Sequence, residues 1–113
     1  MPEIGSPPWI AALARSVDGL DAEGVTLTVV HRVEGGPSWV VAADGRRVTV
    51  RAAAAGETGD ISFTWQPDDA AAVAAGRAAV LTIFGTGRLR VGGDLRRLAE
   101  ATALFARFPG RAA

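Results

Sequence analysis

The first apolar positions of the chain recur at helical spacing: Trp9, Ile10, Leu13, Ala14 and Val17. Ser6 precedes them and can cap a helix, and the prolines at positions 7 and 8 are tolerated in a first helical turn. Gly19 supplies the stop signal. The pattern predicts a short amphipathic helix, Trp9–Val17, in an N-terminal region of residues 1–20.

A two-residue period replaces the helical one after this region. One face of a first strand carries Val25, Leu27, Val29, His31 and Val33. Ser38–Ala43 and Arg46–Arg51 follow as a second and a third strand, joined by the hairpin signal Asp44-Gly45. The valines at positions 48 and 50 are expected to face inward. The three strands predict an antiparallel meander.

The middle of the chain predicts a crossover, a strand and a helix. Ala52–Asp60 is a small-residue connection that is long enough to cross the sheet. Ile61–Gln66 alternates apolar and polar residues more clearly than any other segment and predicts the fourth strand. Pro67 and the two acidic residues after it open a helix that runs to about Ala75, where Gly76 stops it.

The last third predicts two more helices and a fifth strand. Ala78–Phe84 has the composition of a short apolar helix, and Leu89 and Val91 alternate with arginines in a short strand. Asp94 can cap a final helix that reaches about Phe108.

One stripe of this final helix is expected to face the core: Leu95, Leu98, Ala99, Thr102, Phe105 and Phe108. Charged residues fall on the opposite side, where Arg96 and Glu100 stand at helical pairing distance. Leu104 falls in the middle of that charged side. We expect a lone surface leucine there, and the alternative is contact with a dimer partner or transiently with a membrane.

Composition restricts the possible functions. Hydrophobic residues make up 49% of the 113 residues, which supports the core of a single domain, 1–113. The net charge is zero and the strand arginines are scattered, so we expect no nucleic-acid partner. Residues 1–5 lack the features of a signal peptide, and no apolar run approaches the roughly 20 residues that span a bilayer. We expect a cytoplasmic protein.

Catalytic and metal-binding residues are scarce. One histidine and no cysteine do not provide the converging ligands of a metal site, so no metal or cofactor is expected. Asp68 and Asp69 are explained by helix capping, and the glycine pairs near positions 86 and 92 do not have the spacing of a phosphate-binding loop. We expect no enzyme. For His31 we expect a partly buried structural role near a sheet edge; the alternative is contact with the headgroup of a ligand.

The C-terminal half resembles the sterol carrier protein type two family. Gly87–Phe105 is similar to the family segment in which a glycine precedes a strand and a Gly-Asp pair opens the final helix. Ile61–Arg77 resembles the preceding strand and acidic helix, and Trp39–Arg51 fits the second and third strands. The resemblance covers residues 25–108. It implies an α+β fold in which helices cover a five-stranded sheet, in the order α-β3-crossover-β-α-β, as in a small stand-alone bacterial member.

The resemblance also implies non-catalytic binding of an apolar ligand: a sterol, a fatty acid or an acyl chain. The residues expected to line the cavity are Trp39, Phe63, Trp65, Leu81, Phe84, Leu98, Thr102 and Phe105. The same residues would equally serve as a filled core. The alternative function is an accessory domain without bound lipid, which docks a partner enzyme or forms a homodimer.

Overall fold

A computed structural model describes residues 4–74, 83, 86, 87 and 89–107, with the backbone alone at positions 74, 105 and 106. Its elements, in chain order, are α1 (Pro7–Ser16), β1 (Thr26–Val33), β2 (Ser38–Asp44), β3 (Val48–Ala52), β4 (Ile61–Trp65), α2 (Pro67–Ala74), β5 (Arg90–Gly93), a 3₁₀ turn (Leu95–Arg97) and α3 (Leu98–Ala106).

Helix α1 has the predicted cap, Ser6, but begins at Pro7 and ends at Ser16, whereas the apolar pattern predicted Trp9–Val17. The Ser6 hydroxyl accepts a hydrogen bond from the Trp9 backbone N–H at 3.4 Å and so caps the first turn. The inward side of the helix and its C-terminal cap bury Ile10, Leu13 and Val17. Because these residues need an apolar partner, α1 packs against the sheet at β3.

The five strands form one sheet in the order β3-β2-β1-β4-β5. The first three strands form the predicted antiparallel meander. Strand β4 lies on the other side of β1 and runs parallel to it, and β5 pairs antiparallel with β4. The predicted α+β fold and element order are therefore confirmed. Strand β3 begins at Val48, later than predicted, because the Asp44 carboxylate accepts the backbone N–H groups of Arg46 and Arg47 in the turn.

The connection between β3 and β4 crosses the outward face of the sheet, as its length predicted. Arg32 and Arg51 stand on this face, and both bind Glu57 in the middle of the crossover: Arg32 at the backbone carbonyl and Arg51 at the carboxylate, each at 2.5 Å. The hydrogen bond from Arg51, with one from the backbone N–H of Ala54, lowers the pKa of Glu57 to about 2. Two outward-facing valines, Val30 and Val40, are completely buried on the face that the crossover spans.

Helix α2 starts at Pro67 with Asp68 and Asp69 in its first turn, as expected from the preference for negative charge at a helix N-terminus. The predicted stop at Gly76 and the predicted helix Ala78–Phe84 lie outside the described residues, apart from Ile83. This residue is helical and completely buried.

The final helix begins as predicted but presents a different face to the core. Asp94 caps it by accepting the Arg96 N–H at 3.2 Å. Among the described side chains of this segment, Ala101 and Leu104 are buried, whereas Leu95 is 58% exposed and Ala99 is also exposed. The predicted inward positions of Leu95 and Ala99 and the predicted surface position of Leu104 are therefore wrong, whereas Leu98 packs partly buried against the core. The side chain of Phe105 and the whole of Phe108 lie outside what the structure describes.

The α-helical part of this segment begins only at Leu98, after the 3₁₀ turn Leu95–Arg97. Leu95 therefore lies before the α-helix, and the buried positions Ala101 and Leu104 are one helical spacing apart within it. The ion pairs also differ from the prediction: Arg96 binds Asp94 at 3.0 Å, and Glu100 pairs instead with Arg97 at 2.7 Å.

Arg97 holds the start of α3 against the sheet. Its half-buried guanidinium lies 3.3 Å from the Asp60 carboxylate and donates to the Thr26 carbonyl of β1. Asp60 in turn accepts the Thr28 N–H at 2.9 Å. The helix is thus fixed over the N-terminal ends of β1 and β4.

Candidate ligand-binding site

The aromatic side chains of three adjacent strands meet on the inward face of the sheet. His31 lies in β1, the central strand, and pairs with Trp39 of β2 on one side and with Phe63 of β4 on the other. Trp65 follows Phe63 on the same face of β4, opposite Val33. Because alternate residues of a strand share a face, this register places all four rings together. We call His31, Trp39, Phe63 and Trp65 the aromatic cluster.

The cluster is packed closely around the imidazole. The rings of His31 and Trp39 are stacked, with centroids 5.2 Å apart and planes 3° from parallel. The Phe63 and Trp65 rings lie 5.4 and 6.1 Å from the same imidazole. The Trp65 indole N–H donates a hydrogen bond to His31 Nδ1 at 3.0 Å. All four side chains are at most 6% exposed.

His31 is the one polar member of this cluster, and its environment keeps it uncharged. Burial lowers the pKa of the imidazole from 6.5 to about 3. The hydrogen bond from Trp65 requires a lone pair on Nδ1, which an imidazolium lacks. The expectation of a partly buried histidine near a sheet edge is wrong: the residue is buried in the central strand, because β4 adds to the far side of β1.

Helix α1 contributes a further ring to this region. Trp9 packs edge-on against Trp39, with centroids 4.8 Å apart. Sequence reasoning placed Trp9 on the apolar side of α1 but did not include it among the site residues. Its position depends on how α1 crosses the sheet, which the periodicity of the helix does not specify.

The predicted site residues fall into three groups. Trp39, Phe63 and Trp65 are brought together in the aromatic cluster. Leu98 and Thr102 lie on α3, where Leu98 packs partly buried against the core and the partly exposed Thr102 hydroxyl donates to the Ala99 carbonyl at 3.0 Å. The third group lies outside the described residues or side chains: Leu81, Phe84 and Phe105.

Sequence reasoning missed Ala101 and Leu104, which α3 turns toward the core in place of Ala99 and Thr102. The spacing from Leu98 through Ala101 to Leu104 is itself helical and could have indicated this face. Anchoring the stripe on Leu95, which is outside the α-helix, concealed it.

A separate groove of about 390 Å³ runs between α3 and the residues just before β1. Val25, Ala103 and Leu104 contribute apolar surface, and the Arg107–Glu23 ion pair of 2.9 Å lies at its rim. The groove shares no residue with the aromatic cluster.

Two features are absent from the described part of the chain. No group of three or more His, Cys, Asp or Glu side chains there is arranged to hold a metal ion. None of the helices in that part has the length and apolar character needed to cross a membrane.

Solved structures with the same fold include domains of different origin. The sterol carrier protein domain 2 of Helicoverpa armigera is 20% identical, with a TM-score of 0.64 over 86% of this chain and 82% of that one. Palmitated SCP2L2 from Aedes aegypti is 18% identical, with a TM-score of 0.63 over 84% of this chain and 88% of that one. At these identities the comparisons show the fold alone.

The stereoselective inverting sec-alkylsulfatase of a Pseudomonas species also contains a similar part. The similar part is 20% identical to this protein, with a TM-score of 0.61 over 85% of this chain. It makes up only 15% of the length of that enzyme. No curated protein matches in the sequence comparison.

A family model provides the assignment. The model of the SCP-2 sterol transfer family matches residues 12–106, a range that includes the whole sheet, the second half of α1 and all of α3. The chain therefore belongs to the SCP-2 sterol transfer family.

Proposed function

We propose that this protein binds an apolar ligand, a sterol, fatty acid or acyl chain, between the inward face of its sheet and the helices. It would act as a cytoplasmic lipid carrier and catalyse no reaction. The observation that carries the proposal is the family match over residues 12–106, on a sheet whose inward face is apolar except for His31.

The strand side of the proposed cavity consists of Trp39, Phe63 and Trp65, and the helix side includes Leu98 and Thr102 of α3. Leu81, Phe84 and Phe105 complete the proposed lining. Burying each methylene of a ligand contributes about 0.8 kcal/mol. A long acyl chain would therefore supply on the order of 10 kcal/mol before the costs of ordering the complex are subtracted.

A second candidate is an accessory domain that docks a partner enzyme or forms a homodimer. The similar fold within a Pseudomonas alkylsulfatase favours it, since there the fold accompanies a much larger enzyme chain. In that case the inward face would be a filled core and no lipid would be bound.

Native mass spectrometry of the freshly purified full chain, beside an organic extract of the same sample, separates the two functions. A discrete added mass that matches an extracted lipid is the result expected for a carrier. A homogeneous unliganded chain that also fails to take up added lipid supports the accessory domain, and a dimer strengthens that conclusion.

A pair of leucine variants tests the position of the cavity. Leu98→Trp adds volume beside the core and is expected to weaken binding of Nile red, an uncharged apolar probe, by at least about tenfold. Leu95→Trp is the matched control, because Leu95 is 58% exposed and three positions earlier. Equal binding by a folded Leu98→Trp variant and the control would exclude a cavity lined by Leu98.

A further inference from the structure

A row of polar side chains crosses the outward face of the sheet, on the side away from the aromatic cluster. Thr64 of β4 pairs with Arg32 of β1 on one side and with Arg90 of β5 on the other. Residues paired in this way share a face of the sheet, and neighbouring strands lie about 4.8 Å apart. The two arginines therefore flank the Thr64 hydroxyl, with their Cα atoms about 10 Å from each other.

Neither arginine of this row binds a carboxylate of the described residues. Arg32 donates to the backbone carbonyl of Glu57, which is uncharged, and the exposed Arg90 makes no hydrogen bond or ion pair within the described ranges. Four other arginines each bind a carboxylate within 3.3 Å: Arg51, Arg96, Arg97 and Arg107. Since a guanidinium presents a planar fork of N–H donors that matches the oxygens of a phosphate, the row offers two forks to an anion.

Two hydroxyl groups of β4 lie on the same part of the face. Ser62 precedes Thr64 by two residues, and both side chains are half-buried without a hydrogen-bond partner among the residues that the structure describes. Gly92 of β5 pairs with Ser62, whose Oγ lies 2.8 Å from the position that a Cβ on residue 92 would occupy. A side chain at position 92 would crowd this hydroxyl, and glycine leaves it accessible. Both hydroxyls can therefore donate to an anion held between the arginines.

The charges around the row favour an anion. Two nearby carboxylates are paired with other arginines: Glu57 with Arg51 at 2.5 Å, and Asp60 with Arg97 at 3.3 Å. A third, Glu34, lies two residues after the first arginine of the row and accepts a side-chain amide at 2.7 Å. The two positive charges of the row thus face one negative charge that no arginine balances among the described residues.

We propose that Arg32, Thr64 and Arg90 bind a phosphate group on the outward face of the sheet. The two guanidinium groups bind its oxygens from opposite sides, and the hydroxyls of Thr64 and Ser62 donate to it from the surface of the sheet. The phosphate belongs either to a small soluble molecule or to the headgroup of a phospholipid. The site is independent of the proposed lipid cavity, because the sheet lies between the two.

Titration of the full chain with inorganic phosphate, followed by amide NMR at constant ionic strength, tests the site. We expect saturable shifts of the backbone amide signals of Arg32, Thr64 and Arg90, and no such shifts with sodium chloride. Arg90→Gln should weaken phosphate binding by about tenfold, the value of one hydrogen bond to a charged group. The matched control, Arg46→Gln, removes the same charge from an exposed position in the β2–β3 turn. Because salt screens distant charges, it should weaken binding by less than about twofold.

Vesicles of phosphatidylcholine, with and without phosphatidic acid, distinguish the two sources of the phosphate. Binding to the phosphatidic acid vesicles that is lost in Arg90→Gln and competed by inorganic phosphate identifies a lipid headgroup. Phosphate binding without such vesicle binding identifies a small soluble ligand. The proposal is overturned if the wild type shows no saturable shifts with phosphate, or if Arg90→Gln and Arg46→Gln weaken binding equally. Nile red binding should be the same in Arg90→Gln and the wild type, so failure of this site leaves the proposed lipid-binding function unaffected.

Discussion

Protonation of His31 links the stability of the fold to pH. In the unfolded chain the imidazole has its ordinary pKa of 6.5, whereas burial lowers the pKa to about 3 in the folded protein. Between these values the unfolded state binds a proton that the folded state does not bind. The free energy of unfolding therefore decreases as the pH falls below 6.5, by about 1.4 kcal/mol per pH unit.

The size of the effect follows from these two pKa values. Lowering the pH from about 7 to about 5 should reduce the free energy of unfolding by about 2 kcal/mol. Other groups contribute little in this window. The carboxylates whose pKa is lowered by hydrogen bonds, Asp44, Glu57 and Asp94, have ordinary values of 3.8 to 4.5, so their stabilisation is lost only at lower pH. The chain has no cysteine and no second histidine.

Denaturant unfolding followed by tryptophan fluorescence at several pH values measures the effect. The matched variants are His31→Phe, which removes the titrating nitrogen, and His31→Gln, which also retains an acceptor for the Trp65 N–H. Both should lose the dependence on pH between about 7 and 5, whatever their stability at neutral pH. A wild type whose unfolding free energy changes by less than about 0.5 kcal/mol over this range, or a variant that keeps the full slope, would refute the assignment of a buried neutral histidine.

Two further predictions concern stability alone, each measured by denaturant unfolding against a matched control. Leu104→Ala should lower the free energy of unfolding by about 2–5 kcal/mol, because Leu104 is only 1% exposed. The control Leu95→Ala should change it by no more than about 0.5 kcal/mol. Equal losses in the two variants would contradict the orientation of α3. Gly93→Ala should destabilise by more than about 1 kcal/mol, because its backbone has φ +86° and an added Cβ would overlap the Asp60 carbonyl. Gly87→Ala is the control and should cost less, because Gly87 has a similar φ of +76° but an added Cβ would meet no atom of the described residues within 4 Å. Similar losses in the two variants would mean that the close approach to Asp60 is unimportant.

Local sequence signals predicted most elements of this protein. Periodicity located the strands, the Ser6 and Asp94 caps marked helix starts, and the small residues of the crossover indicated a path across the sheet. These signals work because hydrogen-bond capping and the two-residue alternation of a strand depend on near neighbours in the chain. The same alternation placed Trp39, Phe63 and Trp65 on inward faces.

Contacts between distant segments decided what periodicity could not. The parallel pairing of β4 with β1 made the strand of His31 central, and this pairing turned an expected edge histidine into a buried one that bonds Trp65. The packing of α3 against the sheet buries Leu104 and leaves Leu95 exposed. The sequence by itself determined which residues are apolar and where elements begin. Only the tertiary structure decided which strands are neighbours and which side of a helix meets the sheet, because both depend on packing between residues far apart in the chain.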